Sequence, residues 1–224
     1  MKIGIGLIFF NDVESLKRCI PTIKADKIYA IDGRFKDFNA PISLSTDGSR
    51  EYLENFENVK LIDGPDLEEV DKRNIYLKEC QEEFLVVIDS DEWVEGDWSQ
   101  FRKEIEEKVK EENGPCYWLW VNDLERNYEF WQCLGFFNPN RMQYKYRHDW
   151  LEVDDKRILP HSHNDGYTKL TSISIFNKKQ LRSDKRRKIG DEWYEKSRKK
   201  ELKKTRKFYW LKKIKNFIKQ DKAN

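Results

Sequence analysis

Asp89 and Asp91 stand one residue apart at the end of the apolar run 84–88, within the stretch FLVVIDSDEWVEGDW. Two carboxylates released at a strand end supply the oxygen ligands that a hard divalent cation takes. Such a cation can bridge a diphosphate and neutralise the charge that develops as it leaves. Glu92, Glu95 and Asp97 enlarge the cluster. Glu95 and Asp97 also suit a helix start, where the helix dipole favours acids, because the amphipathic segment WSQFRKEIEEKVKEEN follows at once. An EF-hand loop is excluded: Val94 stands where the turn glycine is required and Gln100 where the bidentate glutamate belongs.

Positioning these carboxylates needs a scaffold, and the first half of the chain describes one. Ile3–Phe10 is an apolar run, hence a buried strand; its Lys2 and short apolar core imitate a signal peptide, but polar Asn11-Asp12 follows with no small-residue cleavage site. Residues 13–24 place Val13, Leu16, Ile20 and Ile23 on one helical face, with Asn11 or Asp12 as N-cap and Pro21 as the point where the helix kinks or ends. KIYAID and NVKLIDGP read as the second and third strands and EFLVVID as the fourth. STDGSREYLENF reads as a short helix, and LEEVDKRNIYLKEC as a helix with Val70, Ile75, Leu77 and Cys80 as its apolar positions. Alternating strands and helices imply an α/β fold, a mostly parallel sheet covered by helices on both faces. In such sheets ligands bind outside the carboxyl ends of the strands. Asn11, Asp32 and Asp89 each follow a strand, so they are expected along one edge. After Asp97 the strand CYWLWVND and the aromatic region YEFWQCLGFFNPNRM follow, and RILPHSHNDGYTKL reads as a loop or strand end.

The stretch IDSDEW resembles the Asp-x-Asp region of the glycosyltransferase family 2 type, which has the A-type glycosyltransferase fold. Other segments resemble that family in the same order: GIGLIFFNDVESLKRCI its first strand and helix, YAIDG its second strand, STDGSREYL its STDGT turn, and VDKRNIYLKEC the helix with an Arg-Asn pair. NRMQYKYRHDWLE is similar to its Arg-containing strand followed by His-Glu, and HSHNDGY to its His-x-Gly-Tyr element. The resemblance spans roughly residues 3–175. Three departures stand out. Residues 33–44 separate the second strand from the STDG turn. His-Glu is here His148-Asp149, so the acidic role passes to Asp149 or Glu152. One extra residue lies between His163 and Gly166, so His161 and His163 compete.

The resemblance implies transfer of a sugar, a hexose first, from a nucleotide-diphosphate sugar, with Mn2+ or Mg2+ as cofactor. It places Asp89 near the ribose and the metal, Asp91 on the metal, and His163 or, second, His161 in the remaining shell. Phe9, Asn11, Asp32, Arg73 and Asn74 are then expected around the nucleotide sugar, with Asp32 favoured over Asp47 for the base. Arg73 could contact phosphate or be a solvated helix charge; Asn74 suits orienting the neighbouring loop. A hydroxyl acceptor needs a general base. Asp149 is the first candidate and Asp123, after CYWLWVN, the second. The aromatics Trp118, Trp120, Trp131 and Phe136 read mainly as core.

The rest of the composition bears on partners. From Lys178 onward twenty Lys/Arg face six Asp/Glu, a net +14; the 23 basic and 35 acidic residues before it leave −12. The expected division is a catalytic domain at 1–177 and a basic helical extension at 178–224. The extension carries Leu202, Phe208, Leu211, Ile214 and Phe217/Ile218 at helical spacing. Docking on the acidic body, an anionic membrane surface and nucleic-acid phosphate all stay open as its partner. The acceptor is correspondingly open among DNA, a lipid-linked or surface glycan and a protein. Four separated cysteines form no CxxC, which argues against zinc and suits a reducing, cytoplasmic compartment, peripheral to a membrane if the tail binds lipid. A nucleotidyltransferase is a rival reading, but FFNDVES stands where its Gly-rich, basic loop is expected. An inactive nucleic-acid or membrane adaptor on the same body is the other.

Overall fold

The structure is a computed structural model that describes residues 1–36, 38–112, 114–146, 150–158, 168–178 and 192. Met1–Arg182 form one compact unit and Ser183–Asn224 a second. The elements below all belong to the first.

The expected opening is present: β1 (Ile3–Phe9), α1 (Val13–Cys19), β2 (Lys27–Asp32), α2 (Ser49–Glu54), β3 (Val59–Asp63), α3 (Glu69–Glu79) and β4 (Phe84–Val87). Pro21 acts as expected: α1 stops at Cys19 and a single 3-10 turn, Ile20–Thr22, carries the chain out. Then come β5 (Glu92–Gly96), α4 (Trp98–Glu112), β6 (Cys116–Asp123), β7 (Tyr128–Phe137), β8 (Met142–Tyr146), β9 (Trp150–Val153), β10 (Lys156–Ile158) and β11 (Thr168–Asn177).

Eight strands form one sheet in the order β3-β2-β1-β4-β7-β6-β11-β5, and β10-β9-β8 form a second. The pairs β1–β2, β2–β3, β1–β4 and β6–β11 are parallel; β4–β7, β6–β7 and β5–β11 are antiparallel. Only β5 and β7 therefore run against the other six strands of the large sheet. This is the mostly parallel, helix-flanked sheet that the sequence implied. The strand order turns back at β1: β2 and β3 lie on one side of it and β4 on the other. That reversal opens a crevice at the carboxyl ends of β1 and β4, the usual ligand site of such sheets.

Helix α3 departs from its expected face. Leu77 and Cys80 are buried, but Val70 and Ile75 are only half-buried, while Lys72 (0% exposed), Arg73 (4%) and Tyr76 (0%) point inward. Gly6 of β1 makes the room: a Cβ there would lie 2.7 Å from the Tyr76 ring. The helix thus delivers a charged face to the sheet, and that face needs polar partners.

Strands β5, β9 and β11 went unforeseen. Glu95, expected at a helix start, lies on β5 opposite Ser174 of β11; Asp97 alone caps α4, accepting from Ser99 N, Ser99 Oγ and Gln100 N. Strand β11 carries an irregularity between Leu170 and Ser174. Its bulged backbone is satisfied from α4: Glu104 accepts from Thr171 N and Oγ1 through one oxygen and from Ser172 N through the other. Burial alone would raise the Glu104 carboxyl, but these bonds outweigh it and hold its pKa below the ordinary value. A carboxyl depressed in the folded state stabilises above its unfolded pKa and loses that contribution as pH falls through the folded one. Glu104→Ala is expected to cost about 1–2 kcal/mol at neutral pH, discounted for partial exposure. The difference from wild type should shrink in urea melts at acid pH; a constant difference would refute the linkage.

Candidate active site

Three strand ends meet at the crevice. After β1 the chain turns sharply at Asn11, whose φ of 48° lies in the left-handed region that asparagine tolerates. The STDG turn folds over it: Asn11 N donates to Ser45 Oγ, and Thr46 N donates to Asn11 Oδ1. Asp47 accepts from Val13 N, Ser49 N and Ser49 Oγ, so it ties the starts of α1 and α2. Asp32, at the end of β2, is 0% exposed. It accepts from Ser45 N and Oγ and from Arg50 Nη1 at 2.7 Å, and the same Arg50 nitrogen bridges to Asp63 at the end of β3. Asp32 from β2 and Asp47 within the turn both anchor it, and Asp32, favoured for the base, is fully buried with its oxygens engaged. Phe9, expected at the nucleotide, is instead a core residue at 2% exposure, with its carbonyl taken by Gly33 N.

The loop after β4 is held from three sides. Ser90 Oγ donates to Asp12 Oδ2 at 2.6 Å, crossing from the β4 end to the β1 end. Asp89 N donates to Glu92 Oε2 at 2.8 Å, and Glu92 N returns a bond to Asp89 O at 3.0 Å. Arg73 Nη2 lies 3.8 Å from Asp89 Oδ1. The Asp89 side chain remains 46% exposed, whereas Asp91 is 3% exposed and Glu92 8%. Burial first, then the charges of Asp89 and Asp91, push the Glu92 carboxyl well above its usual range. Burial and the same carboxylates, with Asp12, raise the Cys19 thiol, so Cys19 is no nucleophile at neutral pH.

Arg73 is neither a solvated helix charge nor open to the crevice. Its guanidinium pairs with Glu69 at 3.0 Å, donates to Tyr76 Oη at 3.0 Å and lies over the Tyr144 ring. Burial works against its charge, but Tyr76, Glu69 and Asp89 outweigh that and keep it cationic. Tyr76 is pushed up to about 12 by burial, despite the cation beside it. Asn74, expected to orient the loop beside it, instead holds a strand seventy residues further along the chain. Its side chain accepts from Tyr144 N at 2.7 Å and donates to Tyr144 O at 2.9 Å, a two-point clamp on β8.

The general-base candidates separate. Asp123 closes the β6–β7 turn, accepting from Glu125 N and Arg126 N. Strand β7 lies between β4 and β6, which keeps those strands about 10 Å apart; Asp123 is not brought to Asp89. Glu152 pairs with Lys145 at 3.3 Å and lines a polar cleft of about 330 Å³ with Asn74, Lys78, Arg141 and Gln143. Asp149, His161 and His163 lie outside the described residues.

A divalent cation is tested against these facts. The carboxylate chemistry suits a hard ion, yet among the described residues no three His, Cys, Asp or Glu side chains converge on one point. Asp89 fits as a ligand because its carboxylate is open; Asp91 and Glu92 face inward, and burial favours the neutral form of Glu92. Sequence reasoning placed Glu92 in the carboxylate cluster but missed the parts that Asp12, Ser90 and Tyr144 play. For Ser90 a signal existed, a hydroxyl between the two aspartates; for Tyr144 there was none.

No protein-family model matches the chain, and no curated protein matches it. Solved structures that resemble it include those of S. aureus TarS, each over 55% of this chain at 16% identity. They are the TarS crystal structure (22% of that chain, TM-score 0.41), its residues 1–349 in complex with UDP (36%, 0.43) and the same fragment in complex with UDP-GlcNAc (35%, 0.44). The chain thus spans well under half the length of each of these three structures.

Proposed function

We propose that this chain is a nucleotide-sugar glycosyltransferase, moving a hexosyl group from a nucleoside-diphosphate sugar to a hydroxyl acceptor. The observation that carries this reading is Asp89: an open carboxylate at the end of a buried strand, at the point where the strand order reverses, backed by a buried arginine 3.8 Å away. Mn2+ or Mg2+ would be held through Asp89, with Asp91 behind it, and would supply charge neutralisation for the leaving diphosphate. The nucleotide would lie along the β1 end and the STDG turn, where Asn11 and Asp47 stand. Asp149 remains the proposed base. All four cysteines are free and buried, which supports a reducing, cytoplasmic setting.

A panel of nucleotide sugars with Mn2+, read by thermal shift, tests this. A ligand at 100 times its dissociation constant stabilises by ~2.7 kcal/mol, which in a unit of this size raises Tm by roughly 5–11 °C. Release of a nucleoside diphosphate from the stabilising donor would establish cleavage of the sugar–phosphate bond, and its acceleration by an added hydroxyl acceptor would establish glycosyl transfer. Pyrophosphate release from a nucleoside triphosphate, with no sugar nucleotide bound, would favour a nucleotidyltransferase instead.

A further inference from the structure

Asp12 has no part in the chemistry described so far, yet it sits where the two halves of the crevice join. It is 6% exposed, and both of its carboxylate oxygens are engaged. Oδ1 accepts from Ser15 Oγ at 2.7 Å and Oδ2 from Ser90 Oγ at 2.6 Å. Its backbone N donates to Ser49 Oγ at 3.0 Å, and Ser49 Oγ in turn donates to Asp47 Oδ1 at 2.6 Å. A continuous hydrogen-bonded path therefore runs from the STDG turn, through Ser49 and Asp12, to the residue between Asp89 and Asp91. Ser90 is itself 4% exposed, so water does not compete for its hydroxyl.

We propose that Asp12 is a positioning residue: by holding Ser90 it fixes where Asp89 presents its carboxylate, and it sets that placement relative to the turn on the nucleotide side. The inference rests on the reading of Asp89 as the donor-facing group. The restraints described on the loop differ in kind. Glu92 closes the loop upon itself, and Arg73 touches one oxygen of Asp89 from the side at 3.8 Å. The Asp12–Ser90 bond fastens the middle of the Asp-Ser-Asp stretch to the end of β1. Because β1 and β4 are paired only up to Gly6 and Val87, this bond holds together two strand ends that the ladder has already released.

The test uses the full chain with Ser90→Ala, Asp12→Ala and Asp12→Asn. Asparagine keeps an oxygen acceptor and adds an amide donor, so both serine contacts can persist; alanine removes them. Hydrogen exchange at the Asp89 and Glu92 amides reads the loop without any ligand. Ser90→Ala and Asp12→Ala should speed that exchange by about tenfold or more, while Asp12→Asn stays near wild type. Calorimetric titration with UDP, GDP, CDP and ADP, each with Mn2+, reads the consequence: the best-bound nucleotide should lose about tenfold or more in affinity in Ser90→Ala, and little in Asp12→Asn. Unchanged exchange in Ser90→Ala overturns the proposal. So does faster exchange with unchanged nucleotide affinity, which would show that the loop moves without consequence. If the wild-type chain binds none of the four nucleotides, the donor reading fails on its own, and the exchange rates still decide whether Asp12 holds the loop.

Discussion

Arg73→Ala is expected to destabilise the first compact unit by about 3–5 kcal/mol, because it breaks a buried ion pair by taking away the cation 3.0 Å from the Glu69 carboxylate, which has 9% side-chain exposure. In a unit of this size that corresponds to a fall in Tm of roughly 6–20 °C. The loss belongs to the broken pair rather than to the pair's net worth. Replacing both partners by apolar residues of similar volume, Glu69→Leu with Arg73→Met, should therefore recover much of the stability. Tyr76 loses its donor in either variant, so recovery should be incomplete. Thermal melts of the two single variants and the double variant make the measurement. A double variant no more stable than Arg73→Ala would show that the cation is needed for more than its partner, and Asp89 is then the group it serves.

Asp89→Asn is expected to lower donor turnover by roughly 10²-fold or more while leaving the melting temperature close to wild type. The asymmetry comes from exposure: a carboxylate 46% open to solvent contributes little to folding, but it is the one charge of the motif that a bound diphosphate and its cation can meet. Asp91→Asn should act the other way, shifting stability first, since Asp91 is 3% exposed among other acids. Glu95→Gln, on β5 with its carboxylate accepting from Trp93 Nε1, should change neither by much. Steady-state hydrolysis of the best-bound nucleotide sugar, alongside melts, separates the cases. Full turnover in Asp89→Asn would remove Asp89 from the site.

The readable parts of this fold are those whose signal is local. Strands β1, β2 and β4 are apolar runs closed by polar or glycine residues, and a parallel strand buried on both faces has that appearance. Strand β11 should have been as plain, because Leu170, Ile173 and Ile175 are all buried. Its bulge breaks the two-residue period between the first and the second, and the alternation no longer counts as one strand. Strand β5 fails differently: EWVEG is short and acidic, and it is a strand only because β11 lies beside it. The charged inner face of α3 is invisible for a related reason. Burying Arg73 is tolerable only because Glu69, Tyr76, Asp89 and Tyr144 surround it, and two of those lie sixteen and seventy-one residues further along the chain. Asp89 itself was legible, as an acid directly after an apolar strand. The bond that steadies its loop, from Asp12 to Ser90, joins residues 78 positions apart, and neither looks unusual alone.

The place of β5 at the sheet's edge has a consequence for the order in which the protein comes into being. Its neighbour in the sheet is β11, so Glu92–Gly96 must wait for a partner made some eighty residues later, with Trp93 opposite Phe176 and Glu92 opposite Asn177. Contacts of such separation are closed late, after the entropy of the intervening chain has been spent. Strands β1 to β4 can pair as soon as they leave the ribosome, and with them the Asp12–Ser90 bond can form. Glu92, which closes the same loop from the other side, takes its final position only when β11 docks. On a growing chain the crevice is thus built in two instalments, its floor early and its rear wall last, and the carboxylate at its centre is set only once the end of the body has been synthesised.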